Sequence, residues 1–181
     1  VNEAPIVFFI KNNQWAISSS IASQTKVPLY RRGEGFGVPG LRVDGNDVLA
    51  CYAATKIHMD EAREGKGPYL LEALTYRIGA HTTSDDPTKY RDEEEVEYWR
   101  QRDPIARFEV FLRRQGVDED FFEEVAVAGD ELAKDIREQT FALPKPPLES
   151  IFDNVYSDDH PEINAQRAWL RAYEDQMGGH E

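Results

Sequence analysis

Six consecutive apolar residues at 5–10, Pro-Ile-Val-Phe-Phe-Ile, give way abruptly to Lys11, Asn12, Asn13 and Gln14. A short apolar run between polar flanks predicts a buried strand of a parallel sheet. Runs at 41–44 and 69–74 predict two more strands. Between these two, 47–63 places Val48, Leu49, Tyr52, Ala53 and Ile57 near helical spacing. Asp47 is a suitable N-cap, and Gly65-Lys66-Gly67-Pro68 stops the helix. Strand, helix and strand make a βαβ unit. Three strands leave an open apolar edge that another segment must cover.

The flanking stretches are less regular. Residues 18–24 predict a short helix and 30–40 a glycine-rich loop. From 92 the pattern turns helical: an acidic helix over 92–101, a helix from Asp103-Pro104 to about 115, a long amphipathic helix over 118–142 and a last helix over 161–177. Asp103 and Pro104 suit the N-cap and first helical positions. In that helix Ile105, Phe108, Val110 and Leu112 are expected mostly on its buried side. Pro144-Lys145-Pro146-Pro147 reads as a semi-rigid connector. The chain thus divides at 91/92 into an α/β part, residues 1–91, and a helical part, residues 92–181.

Composition narrows the partners. A net charge of −13 over 181 residues argues against nucleic acid and against anionic membranes, which both need clustered Lys and Arg. No apolar run is long enough to span a bilayer. The one cysteine, Cys51, excludes an intrachain disulfide and is expected as a small buried hydrophobe. His58, His160 and His180 have no metal-ligand spacing and read as surface residues. Gly33-Glu34-Gly35-Phe36-Gly37 is followed by Val38 and is not a dinucleotide fingerprint, and Gly65-Lys66-Gly67 is not a P-loop.

Candidate chemistry lies at the carboxyl end of the first strand, where open α/β sheets bind ligands. An amide oxygen of Asn13 and a main-chain carbonyl two residues on are able to face one hard cation. Oxygen ligands in octahedral geometry suit Mg²⁺ held together with phosphates. Lys11 is then a point charge for a phosphate oxygen. The plainer reading is that Asn-Asn after a strand forms a turn. His81 is a second candidate, because an imidazole titrates near neutrality and exchanges protons or holds an anion.

KNNQWAISSS resembles the closing half of the thiamin diphosphate motif of 2-oxo acid dehydrogenase decarboxylases, which opens upstream with Gly-Asp-Gly. LTYRIGAHTTSDDPTKYRDEEEVEYWRQRDPIAR, 74–107, resembles the phosphate-side loop of the branched-chain alpha subunit. PGLRVDGNDVLACYAATK and GKGPYLLEALTYR are similar to the same subunit, and the likeness runs in order over most of 5–170. No Gly-Asp-Gly occurs in the chain, so it reads as the C-terminal portion of such a subunit.

The resemblance implies an α/β fold, part of a thiamin diphosphate-binding parallel sheet flanked by helices, followed by a helical C-terminal region. It implies Asn13 (side-chain oxygen) and Trp15 (main-chain carbonyl) as Mg²⁺ ligands. Lys11 and Arg77 then belong to the diphosphate surface, Ile17 packs against the cofactor rings, and His81 assists acyl transfer. The family pattern has Tyr at Trp15, often Arg at Lys11 and a second His at Ala80. Thr82 stands where animal relatives carry a phosphorylated Ser, so control by that kinase is not expected.

The implied activity is thiamin-dependent oxidative decarboxylation of branched-chain 2-oxo acids, with acyl transfer to lipoyl groups. Pyruvate dehydrogenase alpha subunit is the alternative, as is a non-catalytic subunit-interaction fragment. Implied partners are the N-terminal half of the subunit, a beta subunit supplying the activating Glu in an α₂β₂ assembly, and a lipoyl acyltransferase core. The implied location is cytoplasmic in a bacterium or the mitochondrial matrix in a eukaryote. Alone, the chain is expected to be inactive.

Overall fold

The computed structural model describes residues 3–178, so Val1 and His180 lie outside the described residues. Two compact units form, residues 1–119 and residues 120–181.

The first unit is built on a three-stranded parallel sheet of β1 (Val7–Asn12), β4 (Gly40–Asp44) and β5 (Tyr69–Leu74), ordered β1-β5-β4. All three predicted strands are present. β1 starts two residues later than the apolar run and continues through Lys11 and Asn12. In register, Val7 faces Tyr69 and Asn12 faces Leu74 on one side of β5, while Gly40 faces Leu70 and Asp44 faces Leu74 on the other. The helix α2 (Val48–Arg63) joins β4 to β5, completing the βαβ unit, and the Asp47 side chain accepts the Ala50 N–H at 2.9 Å.

Burial is concentrated on the central strand. Leu71, Glu72 and Ala73 of β5 are buried, together with Ala62, Tyr76 and Val96. β1 departs from expectation here. It is parallel, yet Phe8 and Phe9 are 50% and 48% exposed. With only one hydrogen-bonded neighbour, it lies at the edge of the sheet, and its apolar faces are not covered on the far side. The open apolar edge expected of three strands is therefore present among the described residues.

Two local elements depart from the sequence reading. Trp15–Ala16 (β2) and Ser19–Ser20 (β3) form a small antiparallel hairpin ahead of α1 (Ile21–Gln24), so the predicted helix is shorter at its start. The glycine-rich stretch contains a 3₁₀ helix, Leu29–Phe36, packed on β4 and β5. A Cβ at Gly40 would lie 2.0 Å from the Tyr30 carbonyl oxygen, so only glycine permits this approach.

α3 (Glu93–Arg100) and α4 (Pro104–Arg114) complete the first unit. Asp103 caps α4 by accepting the Ile105 and Ala106 N–H groups at 2.9 and 3.0 Å. Arg107 docks α4 on the crossover through Asp44 (2.9 Å) and the Asn46 carbonyl (2.8 Å). The expected buried side of α4 is only partly realised: Phe108 and Leu112 are half-buried, but Ile105 and Val110 are exposed. Cys51 is half-buried rather than buried, with Sγ 3.4 Å from the Asp44 carbonyl. Burial pushes its thiol pKa up, and the charges of Asp44 and Asp47 push it further, so the thiol form is favoured.

The second unit holds most of α5 (Glu119–Ala142), the proline-rich connector, a 3₁₀ turn at Leu148–Phe152 and α6 (Pro161–Met177). Arg171 pairs with Glu149, tying α6 to that turn. Two histidines depart from the surface reading. His58 is half-buried, edge-on to Tyr69 at 4.7 Å, and His160 stacks on Tyr156 at 4.3 Å. Among the described residues, no helix is long and apolar enough to cross a membrane.

Candidate functional site at the carboxyl end of the sheet

The parallel pairing of β1 and β5 continues past the strand ends. The Asn12 carbonyl accepts the Thr75 N–H at 2.9 Å, and the Asn13 carbonyl accepts the Arg77 N–H at 3.2 Å. Asn13 and Arg77 are thereby fixed as neighbours. Lys11, on β1 opposite Ala73, is exposed.

The chain then folds back on itself. The Asn12 and Asn13 side-chain oxygens each accept an N–H two residues on, from Gln14 and Trp15, both at 3.0 Å. The turn expected of Asn-Asn is thus real. It also leaves one acceptor direction of the Asn13 oxygen for a cation. Gln14 takes the left-handed conformation, φ 69°, and its amide donates to the Thr75 carbonyl at 2.8 Å. Trp15 packs on Tyr90, ring centroids 5.4 Å apart.

Ile17 opens the two-residue turn of the hairpin with φ 55°. Hairpin turns favour Gly, Asn or Asp at such a position, and a β-branched residue there is strained. The side chain gains little from burial, since it is 57% exposed. Strain held at an exposed apolar residue points to a use for that side chain. Ile17→Gly is expected to gain a net stability of about 1 kcal/mol in urea unfolding, from relief of the left-handed penalty less the entropy of glycine. An unchanged or lower midpoint would show that the turn carries no such strain.

Arg77 connects the hairpin to the loop that follows β5. Its Nη2 donates to the Ile17 carbonyl at 2.6 Å and to the Tyr90 hydroxyl at 3.0 Å. Tyr90 in turn donates to Asp85 Oδ2 at 2.5 Å, and the same oxygen accepts the His81 N–H at 2.9 Å. The Tyr90 hydroxyl bond and the His81 N–H hold the Asp85 carboxyl below its usual range. Bonding to that carboxylate pushes the Tyr90 phenol up. Arg91 braces the far side of the loop on the Arg77 and Ile78 carbonyls. His81 itself is exposed.

Lys11, Asn13, Trp15, Ile17 and Arg77 therefore gather at one end of the sheet, and His81 is linked to them through Asp85, Tyr90 and Arg77. The sequence reading omitted Asn12, Glu72, Tyr90 and Asp85. Glu72 has no exposed surface, yet it sits in the middle of β5. A carboxylate inside an otherwise apolar strand was the available signal.

The donor set suits a diphosphate with a hard cation. Lys11 is exposed, and Arg77 Nε is buried without a partner. Among the described residues, no three His, Cys, Asp or Glu cluster to hold a metal. A cation held by the Asn13 side-chain oxygen and the Trp15 carbonyl would need its further oxygen ligands from outside this chain: phosphates, water and an upstream carboxylate.

Fold and site define a parallel α/β protein with basic and amide side chains gathered at the carboxyl end of its strands. The chain belongs to the dehydrogenase E1 component family, whose model matches residues 1–149. These are enzymes, 2-oxo acid dehydrogenase components. The chain is 45% identical over 170 residues to the 3-methyl-2-oxobutanoate dehydrogenase subunit alpha of Mycobacterium tuberculosis, covering 93% of this chain and 46% of that protein. It is 42% identical over 172 residues to the pyruvate dehydrogenase E1 component subunit alpha of Acholeplasma laidlawii, covering 91% of this chain and 49% of that protein. It is 38% identical over 181 residues to the human mitochondrial 2-oxoisovalerate dehydrogenase subunit alpha, covering 98% and 41%. The chain thus spans about half the length of these relatives.

Proposed function

We propose that this chain is the alpha-subunit portion of a branched-chain 2-oxo acid dehydrogenase decarboxylase component, using thiamin diphosphate and Mg²⁺. The observation that carries the reading is the convergence of Lys11, Asn13, Trp15, Ile17 and Arg77 at the carboxyl end of β1 and β5. The bacterial and human branched-chain relatives support the substrate class. The Acholeplasma relative supports pyruvate as a second reading. The mycobacterial relative supports a bacterial cytoplasmic location, with the mitochondrial matrix as the alternative.

Thiamin diphosphate, when bound, supplies the electron sink for decarboxylation. The residues of this chain bind and orient. Asn13 and Trp15 offer two oxygens to Mg²⁺, and Lys11 and Arg77 neutralise diphosphate oxygens. Ile17 presents an apolar side chain to the cofactor rings. His81 exchanges a proton or holds an anion during acyl transfer to a lipoyl group. In functional terms the division at 91/92 separates cofactor-facing residues from a helical region.

The reading requires partners: an upstream half of the α/β domain, a beta subunit in an α₂β₂ assembly, and a lipoyl acyltransferase core. In that assembly His81→Ala is expected to lower lipoyl acylation about 100-fold or more, the scale of a lost acid–base group. Light scattering should show the assembly intact. Normal turnover would favour a subunit-interaction fragment instead. Assays with 3-methyl-2-oxobutanoate and pyruvate separate the two substrate readings.

A further inference from the structure

Among the described residues Glu72 is the buried carboxylate, and the proposed chemistry does not use it. Its Oε1 accepts Asn12 Nδ2 at 2.6 Å and Arg42 Nη2 at 2.9 Å. Its Oε2 accepts the Tyr30 N–H at 2.9 Å and Arg42 Nε at 3.2 Å. Asn12 and Arg42 come from the strands on either side of β5, and Tyr30 from the 3₁₀ segment. A fully buried charge is retained only where donors surround it, and here four donor atoms do.

The bond to Asn12 has a directional consequence. An ionised carboxylate only accepts, so it fixes which end of the Asn12 amide faces the core. The amide oxygen must then point the other way, to the Gln14 N–H at 3.0 Å. That bond helps to hold Gln14 in its left-handed conformation, φ 69°. Gln14 lies between Asn13 and Trp15, the two residues proposed to offer oxygens to the cation. One core carboxylate thereby sets the path of the loop carrying both oxygens.

We propose that Glu72 and Asn12 act as positioning residues for the cation and diphosphate site: Glu72 orients the Asn12 amide, which holds the Asn13–Trp15 turn in its binding geometry. The inference rests on the thiamin diphosphate reading and deepens it. Neither residue touches the cofactor; both act through the turn.

The test uses the full-length alpha subunit assembled with its beta subunit. It reads the apparent Mg²⁺ dissociation constant by calorimetry at saturating thiamin diphosphate, and the melting temperature without cofactor. Asn12→Ala leaves Glu72 its Arg42 and Tyr30 donors and removes the relay itself, the bond from Asn12 to Glu72 and the bond from the Gln14 N–H to Asn12. It is expected to fold and to weaken Mg²⁺ binding about 10- to 100-fold, the range for outer-shell partners. Asn12→Asp sets two carboxylates face to face and is expected to do at least the same. Adding Glu72→Gln to Asn12→Asp restores a donor–acceptor pair and the net charge, with Arg42 Nη2 able to turn to solvent. The double variant is expected to recover affinity to within about threefold of wild type, as coupled neighbours do.

A merely structural role predicts lower melting temperatures with unchanged Mg²⁺ affinity in Asn12→Ala; that outcome overturns the proposal. Failure of the double variant to regain affinity over Asn12→Asp also overturns it. A wild-type assembly without Mg²⁺-dependent thiamin diphosphate binding would overturn the functional reading itself, and this inference with it.

Discussion

Replacing Asn13 by alanine in the assembled protein is expected to weaken Mg²⁺-dependent thiamin diphosphate binding about 100-fold or more. Partners behind the ligands of a metal already cost 10- to 100-fold when lost, and Asn13 is proposed as a ligand itself. The argument is geometric. Its side-chain oxygen is held by the Trp15 N–H at 3.0 Å, and its carbonyl is anchored on the Arg77 N–H at 3.2 Å. Both side chain and backbone are thus set before any ligand arrives. Asn13→Asp keeps the oxygen and the turn, so it is expected to retain most of the affinity. Titration calorimetry of Mg²⁺ at fixed thiamin diphosphate measures both. Wild-type affinity in the alanine variant would remove Asn13 from the ligand set.

The second large effect falls on stability. Glu72→Ala is expected to cost about 3 kcal/mol in urea unfolding, because it strips buried donors of their acceptor and breaks an ion pair. Asn12 Nδ2 and the Tyr30 N–H lose their partner, and Arg42 loses its carboxylate while keeping the Tyr30 ring 5.6 Å away. The pH dependence has a definite sign. Burial pushes the Glu72 carboxyl up, but the Arg42, Asn12 and Tyr30 donors outweigh it and hold the pKa below the usual glutamate value. A lowered folded pKa contributes stability that is present above the unfolded value, about 4.3, and is lost as pH falls through the folded one. The wild type should therefore lose this contribution in that acid window. The alanine variant should show a flatter acid limb, and identical limbs would exclude Glu72 as a contributor.

Which parts of this fold were legible follows from what each pattern encodes. The strands at 41–44 and 69–74 and the helix capped by Asp47 announce themselves, because burial and capping are local demands on residue type. The edge position of β1 was not readable from its apolar run, since neighbours along a sheet are chosen by topology. The hairpin at Trp15–Ala16 and Ser19–Ser20 was missed for a physical reason. Its turn carries Ile17 where glycine is expected, so the usual turn signal is replaced by strain. At the site, Asn13 and the carbonyl two residues on stood out by their place after a strand, Arg77 was named through family likeness, and the strand ends bring Asn13 and Arg77 side by side. The bonds through Tyr90 and Asp85 were invisible, because they join residues whose proximity only the folded loop creates. Glu72 was overlooked because its flanks, Leu71 and Ala73, read as ordinary core.

The free flank of β1, with Phe8 and Phe9 half exposed, has a consequence for how the molecule is put together. Hydrogen bonds from a further strand would form sideways, across the width of the sheet. The site proposed around Asn13 and Arg77 lies lengthwise, beyond the strand tips. Growth of the sheet and capture of a small molecule thus draw on different atoms of the same strand.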